Sequence, residues 1–186
     1  MNSREGARKP AQKNQQAPGR LEVLRAFLNT WRIPNDTRVA TDHLRDDEDV
    51  RSFRDAHFGP DIAAEPKEEV VRLREDLRNH LGKGDVAFLN RWLEKYPVTA
   101  CIRNGRVHYR GGGSLCGELL ALAVEAVSEG KWERFKACPD CRWVFYDNTR
   151  NKSKVWCSMN ADGPEGRACG TIAKVNRWRQ RQKQRR

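Results

Sequence analysis

Four of the six cysteines lie in the last quarter of this 186-residue chain: Cys138-Pro139-Asp140-Cys141, then Cys157 after fifteen intervening residues and Cys169 after eleven more. Two thiolates two residues apart on a tight turn point at one centre, and the backbone amides that follow can donate to the sulfurs. A segment of about fifty residues buries too little apolar area to fold unaided, so it needs a staple. The opening Met1-Asn2-Ser3-Arg4-Glu5-Gly6 runs into a polar stretch with no apolar leader, so the expected location is the cytoplasm, where thiols stay reduced. The staple is therefore read as a metal. All four histidines (His43, His57, His80, His108) precede Cys138, which leaves Cys138, Cys141, Cys157 and Cys169 as an all-cysteine site for one structural Zn2+. A redox role for the C-x2-C pair is disfavoured, because it does not lead from a core strand into a helix and two more cysteines follow.

The gap between Cys141 and Cys157 reads as a hairpin. Arg142 to Asp147 and Lys154 to Ser158 carry aromatic and β-branched residues on either side of the polar run Asn148 to Ser153. After Cys169 no further Pro or Gly occurs beyond Gly170, so a helix is expected to run from there to the end. Stepping about 100° per residue puts Lys174, Arg177, Arg181 and Arg185 on one face, roughly opposite Ile172 and Val175. One edge is thus expected to pack on the cysteine module and the other to present cations. Arginine suits such a row because its planar fork binds phosphate in bidentate fashion and reads guanine edges.

The charge distribution points the same way. The chain carries 36 Lys and Arg against 25 Asp and Glu, a net charge of +11. Residues 1–20 hold five basic and one acidic side chain, residues 138–186 twelve and four, and the stretch between them nineteen and twenty. Both ends attract a polyanion while the middle is balanced. Residues 1–20, rich in Gln, Lys, Arg and Pro with almost no large apolar side chains, are read as a disordered basic tail. No apolar run reaches the ~18 residues that spanning a membrane requires, so no membrane partner is expected.

Residues 21–137 read as one mainly helical domain with a small β-hairpin, giving an α+β chain overall. Leu21, Leu24, Phe27, Leu28 and Trp31 recur at helical spacing up to Pro34. Asp46 or Asp47 caps a second helix through Val50, Phe53 and His57. Pro66 opens a third, with Val70, Leu73, Leu77 and Leu81 in one stripe and Gly82 at its close, and a fourth runs from Asp85 to Pro97. The period then changes to two: Val98 to Ile102 and Arg106 to Arg110 flank Asn104-Gly105, the dipeptide best suited to a type I′ turn. Ser114 caps a nearly all-apolar helix from Leu115 to Val127, closed by Gly130, in which Cys116 is a small buried hydrophobe.

The residues from Cys138 onward resemble the CGNR zinc-finger family of bacteria, in which an N-terminal ABATE domain precedes a short cysteine-rich finger. The resemblance is carried by Cys138 to Asp147, Thr149 to Ser153, Trp156-Cys157-Ser158-Met159, Cys169-Gly170 and Ala173-Lys174-Val175. Leu28-Asn29-Thr30, Leu73 to Arg78 and the hairpin-plus-helix before the finger resemble the ABATE domain more loosely. Two departures stand out: Thr171-Ile172 replaces the family's Asn-Arg after Cys-Gly, and eleven residues separate the last two cysteines where the family has about four.

The resemblance implies a treble-clef-like finger, zinc, DNA, and a role in transcription. The expected function is a zinc-dependent DNA-binding regulator, not an enzyme. Arg142, Arg150, Lys152, Lys154, Lys174, Arg177, Arg181 and Arg185 are the DNA-contacting candidates. The balanced domain would sense a small-molecule effector, form a homodimer or contact another protein. Competing readings are an enzyme in the N-terminal domain with purely structural zinc, and a zinc-held RNA- or protein-interaction module. The only polar cluster favouring an enzyme is His43 with Asp46-Asp47-Glu48-Asp49, which helix capping explains better.

Overall fold

In the computed structural model, residues 15–159 and 168–184 are described. Among them the chain is a mixed α+β protein of six α-helices and three separate two-stranded antiparallel sheets. The helices are α1 (Leu21–Leu28), α2 (Asp47–His57), α3 (Lys67–Asn79), α4 (Leu89–Lys95), α5 (Leu115–Ser128) and α6 (Cys169–Gln184). The strands are β1 (Trp31–Arg32), β2 (Thr41–Asp42), β3 (Thr99–Arg103), β4 (Arg106–Arg110), β5 (Phe135–Ala137) and β6 (Val144–Tyr146). No helix among the described residues is long and apolar enough to cross a membrane.

Helix α5 is the centre of the core. Its apolar composition lets it be covered on all sides, and Leu115, Cys116, Leu119, Leu120, Leu122, Ala123 and Ala126 are buried. The Ser114 hydroxyl caps it by accepting from the Gly117 amide. Gly111 and Gly117 pass so closely that a Cβ on Gly117 would sit 1.9 Å from the Gly111 carbonyl oxygen, so only glycine fits. Around α5 pack α1 through Leu21, Leu24, Phe27 and Leu28, and α3 through Val70, Leu73 and Leu77. Burial also raises the Cys116 thiol well above the ordinary range, as expected of a packing residue.

The Asn104-Gly105 turn forms with φ of 50° and 70°, and the ladder runs from Thr99↔Arg110 to Arg103↔Arg106. Asp46 caps α2 by accepting from the Asp49 amide. The rest of the acidic run is engaged locally: Asp47 accepts from the Lys67 amide, Glu48 pairs with Arg51 and Asp49 with Arg45.

Three local expectations change. Helix α1 stops at Leu28 and Trp31 belongs to β1, because the Thr30 hydroxyl and amide both turn back to the Phe27 carbonyl while the Asn29 side chain leaves for β6. The tail reading also ends early: Gln15 and Ala17 are buried, with Tyr146 N donating to Gln15 O at 3.0 Å, and residues 1–14 lie outside the described residues. Finally, β6 pairs with β5 (Phe135↔Tyr146, Lys136↔Phe145, Ala137↔Val144) and residues 154–158 form no strand. The ladder therefore crosses the 137/138 boundary, and Phe135, Val144 and Tyr146 belong to the main core.

Arg74, read only as part of the α3 sequence, is 1% exposed. Its guanidinium grips both Asp42 oxygens at 2.7 and 2.6 Å and donates to the Thr30 hydroxyl at 3.0 Å. This bidentate pair fastens β2 and the end of α1 to α3.

Candidate metal centre

The β5–β6 hairpin makes the first half of the site. Its turn is the Cys138-Pro139-Asp140-Cys141 knuckle, closed by Cys138 N to Trp143 O and Arg142 N to Cys138 O, both 2.9 Å. Arg142 takes the left-handed conformation, φ 60°, which reverses the chain into β6. The body braces this knuckle. Ile33 N donates to Cys141 O at 3.3 Å, Arg38 to Asp140 O at 3.0 Å, and Arg78 to Arg142 O at 2.8 Å. Arg78 also donates to Leu28 O and lies 4.7 Å over the Trp31 ring; burial lowers its pKa to about 10.

Asn29 makes the tightest brace. Its amide group donates to Val144 O and accepts from Val144 N, both at 2.8 Å and buried, as a further strand would. Gln15 reaches the other half of the site, donating to Cys157 O at 2.8 Å. Cys169 is the first residue of α6, held to the third cysteine's segment by Gly170 N to Ser158 O at 2.9 Å.

Between Cys141 and Cys157 the chain is organised by Asp147, which is fully buried. Its carboxylate accepts from the Thr149 amide and hydroxyl, the Lys154 amide and the Lys136 ammonium. A side chain thus does what a second strand was expected to do. Burial alone would raise this carboxyl, but Lys136 and the three other donors outweigh it and hold its pKa at about 2. Because the folded pKa lies below the unfolded one near 3.9, its stabilisation is full above pH 4 and is lost as the pH falls toward 2. Asp147→Asn should cost about 2 kcal/mol at pH 7 in urea unfolding, with the difference from wild type shrinking below pH 4. Acid releases metal from both chains alike, so the difference isolates the carboxylate.

The four sulfurs converge. Cys138, Cys141, Cys157 and Cys169 are all buried, and their Sγ atoms lie within 4.8 Å of one another. Cys141 Sγ to Cys157 Sγ is 3.5 Å and Cys157 Sγ to Cys169 Sγ is 3.7 Å. Sulfurs about 2.3 Å from a tetrahedral zinc are about 3.8 Å apart, whereas a disulfide requires about 2.05 Å. The spacing is that of ligands around an ion. Without a cation, S–H donation from Cys141, Cys157 and Cys169 pulls the Cys138 thiol down, whereas the same crowding with Cys138, Cys141 and Cys169, together with burial, pushes Cys157 up. Four thiolates this close need a divalent cation to coexist. Phe145, Trp143 and Trp156 pack around them and exclude water. Arg25 and Arg32 flank the Trp143 ring at 5.6 and 5.8 Å.

Residues 134–182 match the CGNR zinc finger. The four cysteines of this finger are consistent with one structural zinc site, the ion serving to hold knuckle, loop and helix together. No curated protein matches the chain. The finger's match begins at Arg134, just ahead of β5, so it takes in the whole hairpin. Where the family has Asn-Arg, the Thr171 hydroxyl donates to Met159 O at 2.5 Å and Ile172 is half-buried. The longer Cys157–Cys169 loop falls largely on residues 160–167, outside the described residues.

The expected DNA-contacting residues divide. Arg142, Arg150, Lys174, Arg177 and Arg181 are exposed, and Arg185 lies outside the described residues. Lys152 is exposed and pairs with Glu133 at 2.8 Å, and Lys154 is half-buried over the Phe145 ring at 5.3 Å. Only Ile172 and Ala173 of the helix's middle are half-buried; from Lys174 to Lys183 every residue is exposed, Val175 included. The packed edge of α6 is thus shorter than the sequence periodicity implies, and it leaves Arg179 and Lys183 as further exposed cations. Asn29, Gln15 and Arg78 were not foreseen; the one sequence signal was a polar pair, Asn29-Thr30, ending an apolar stripe.

Proposed function

We propose that the protein is a zinc-dependent DNA-binding regulator in which α6 carries the contact with the phosphate backbone. The observation supporting this is that α6 begins at a metal-ligand position and leaves the body within two turns. Its exposed stretch carries Lys174, Arg177, Arg179, Arg181 and Lys183 and no acidic residue. Zinc anchors the root of the helix; the cations do the binding. Arg142 on the knuckle and Arg150 on the loop are further exposed cations. The helical body serves sensing or protein contacts. A cavity of about 640 Å3, lined by Arg20, His57, Phe58, Arg110 and Gly112-Gly113, offers room for a small-molecule effector.

Each phosphate neutralised contributes about −0.9 to the slope of log K against log salt. Changing Lys174, Arg177 and Arg181 together to Ala should therefore flatten the slope by about 2.7, with zinc content and helicity of the body unchanged. Fluorescence anisotropy with duplex DNA between 50 and 300 mM NaCl measures it. A zinc-loaded protein that ignores duplex DNA at low salt overturns the reading. A second reading rests on Trp178, 58% exposed between Arg177 and Arg179, which suits stacking on an unpaired base. Preference for single-stranded over duplex competitor, lost in Trp178→Ala, would favour it.

A further inference from the structure

The β3–β4 hairpin lies far from the cysteines in sequence, and packing leaves most of it uncovered. Only Cys101, His108 and Tyr109 are half-buried; the remaining seven residues of the two strands are exposed. Ile102 is 76% exposed and its direct cross-strand partner Val107 is 53% exposed. This exposed apolar pair offers a partner a small contact face. At the next rung, pointing to the opposite face and nearer the turn, Arg103 pairs with Arg106. Both are exposed, and neither makes an ion pair among the described residues. From Val98 to Arg110 there are three arginines and no acidic residue, within a region whose charges otherwise balance.

We infer that this hairpin is a second contact with duplex DNA, a basic ribbon that enters a groove. The inference rests on the DNA-binding reading above and adds a site in the body of the protein. Three features select this occupant. A two-stranded ribbon, its strands about 4.8 Å apart, fits a DNA groove, and the type I′ turn gives it a narrow tip. The arginines at that tip complement phosphates on either wall. The Ile102–Val107 pair then meets sugar and base edges, as apolar side chains do in ribbons that occupy a groove.

The test uses the full-length, zinc-loaded protein and a fluorescent 25-base-pair duplex, titrated at several salt concentrations. Arg103→Ala with Arg106→Ala should weaken binding about tenfold and flatten the salt slope by about 1.8. Ile102→Ser should weaken it severalfold with the slope unchanged. All three positions are exposed, so circular dichroism and zinc content should match the wild type. Hairpin variants that bind like wild type, while the Lys174/Arg177/Arg181 variant loses affinity, overturn this inference and leave the DNA-binding reading standing. A wild-type protein that does not bind duplex overturns both. If Ile102→Ser instead converts a dimer to a monomer in sedimentation, or abolishes binding to anionic lipid vesicles or an acidic protein while DNA binding is intact, the hairpin belongs to another partner and the inference fails.

Discussion

Replacing Cys157 with serine should abolish stoichiometric zinc retention and unfold far more than the finger. In modules this small, structural zinc contributes on the order of 10 kcal/mol, and without it four buried thiols compete for a space that allows few charges. The larger consequence comes from shared packing. The knuckle sits on the β5–β6 hairpin, whose Phe135, Val144 and Tyr146 lie in the same core as α1 and α5. Asn29, Gln15 and Arg78 tie that hairpin and the Cys157 segment to the body. Loss of metal should therefore lower the melting temperature of the whole chain, seen as one transition, and chelation of wild type should reproduce it. Two separate transitions, with the body melting as before, would show that the braces carry little energy. A fragment beginning at Cys138 lacks β5, Asn29 and Gln15, so it should bind zinc more weakly than the intact chain.

Asp42→Ala is expected to destabilise the protein by about 3 kcal/mol. It leaves Arg74, 1% exposed, without its bidentate partner; breaking a fully buried pair typically costs 3–5 kcal/mol, and the 35% exposure of the Asp42 side chain puts this loss at the lower end. Glu75, 3.1 Å from the same guanidinium, also keeps the loss near the lower end. Asp42 also accepts from the Leu44 amide at 2.9 Å, so β2 loosens as well. Arg74→Met should cost much less, because an apolar side chain of similar length fills the volume without a stranded charge. Urea unfolding of both variants measures the asymmetry; equal losses would mean that packing and not the stranded charge dominates. The strap from β1 to β2 carries Ile33, which binds Cys141 O, so Asp42→Ala should also weaken zinc retention.

What the sequence made legible was local or chemically unambiguous. The Asn104-Gly105 turn, the Ser114 and Asp46 caps and the apolar face of α5 follow from backbone and side-chain preferences within a few residues. The all-cysteine site followed because no histidine stands near it in the chain. What stayed hidden depends on partners far apart in sequence. Nothing adjacent to Arg74 marks it as buried; its companion Asp42 is 32 residues away. Nothing near Val144 announces that Asn29, 115 residues earlier, will complete its hydrogen bonding. The strand pairing was misplaced for a similar reason. Lys154 to Ser158 has strand-like composition, but Asp147 captures the loop's amides first, and β6 finds its partner upstream in Phe135–Ala137.

Everything proposed for the finger requires that Cys138, Cys141, Cys157 and Cys169 share one ion. X-ray absorption at the zinc edge of the purified full-length chain tests it most directly. One zinc per chain is expected, with four sulfur neighbours at about 2.3 Å and no nitrogen or oxygen shell. A metal-free folded protein, or zinc bound through histidine or carboxylate with two sulfurs or fewer, would contradict it.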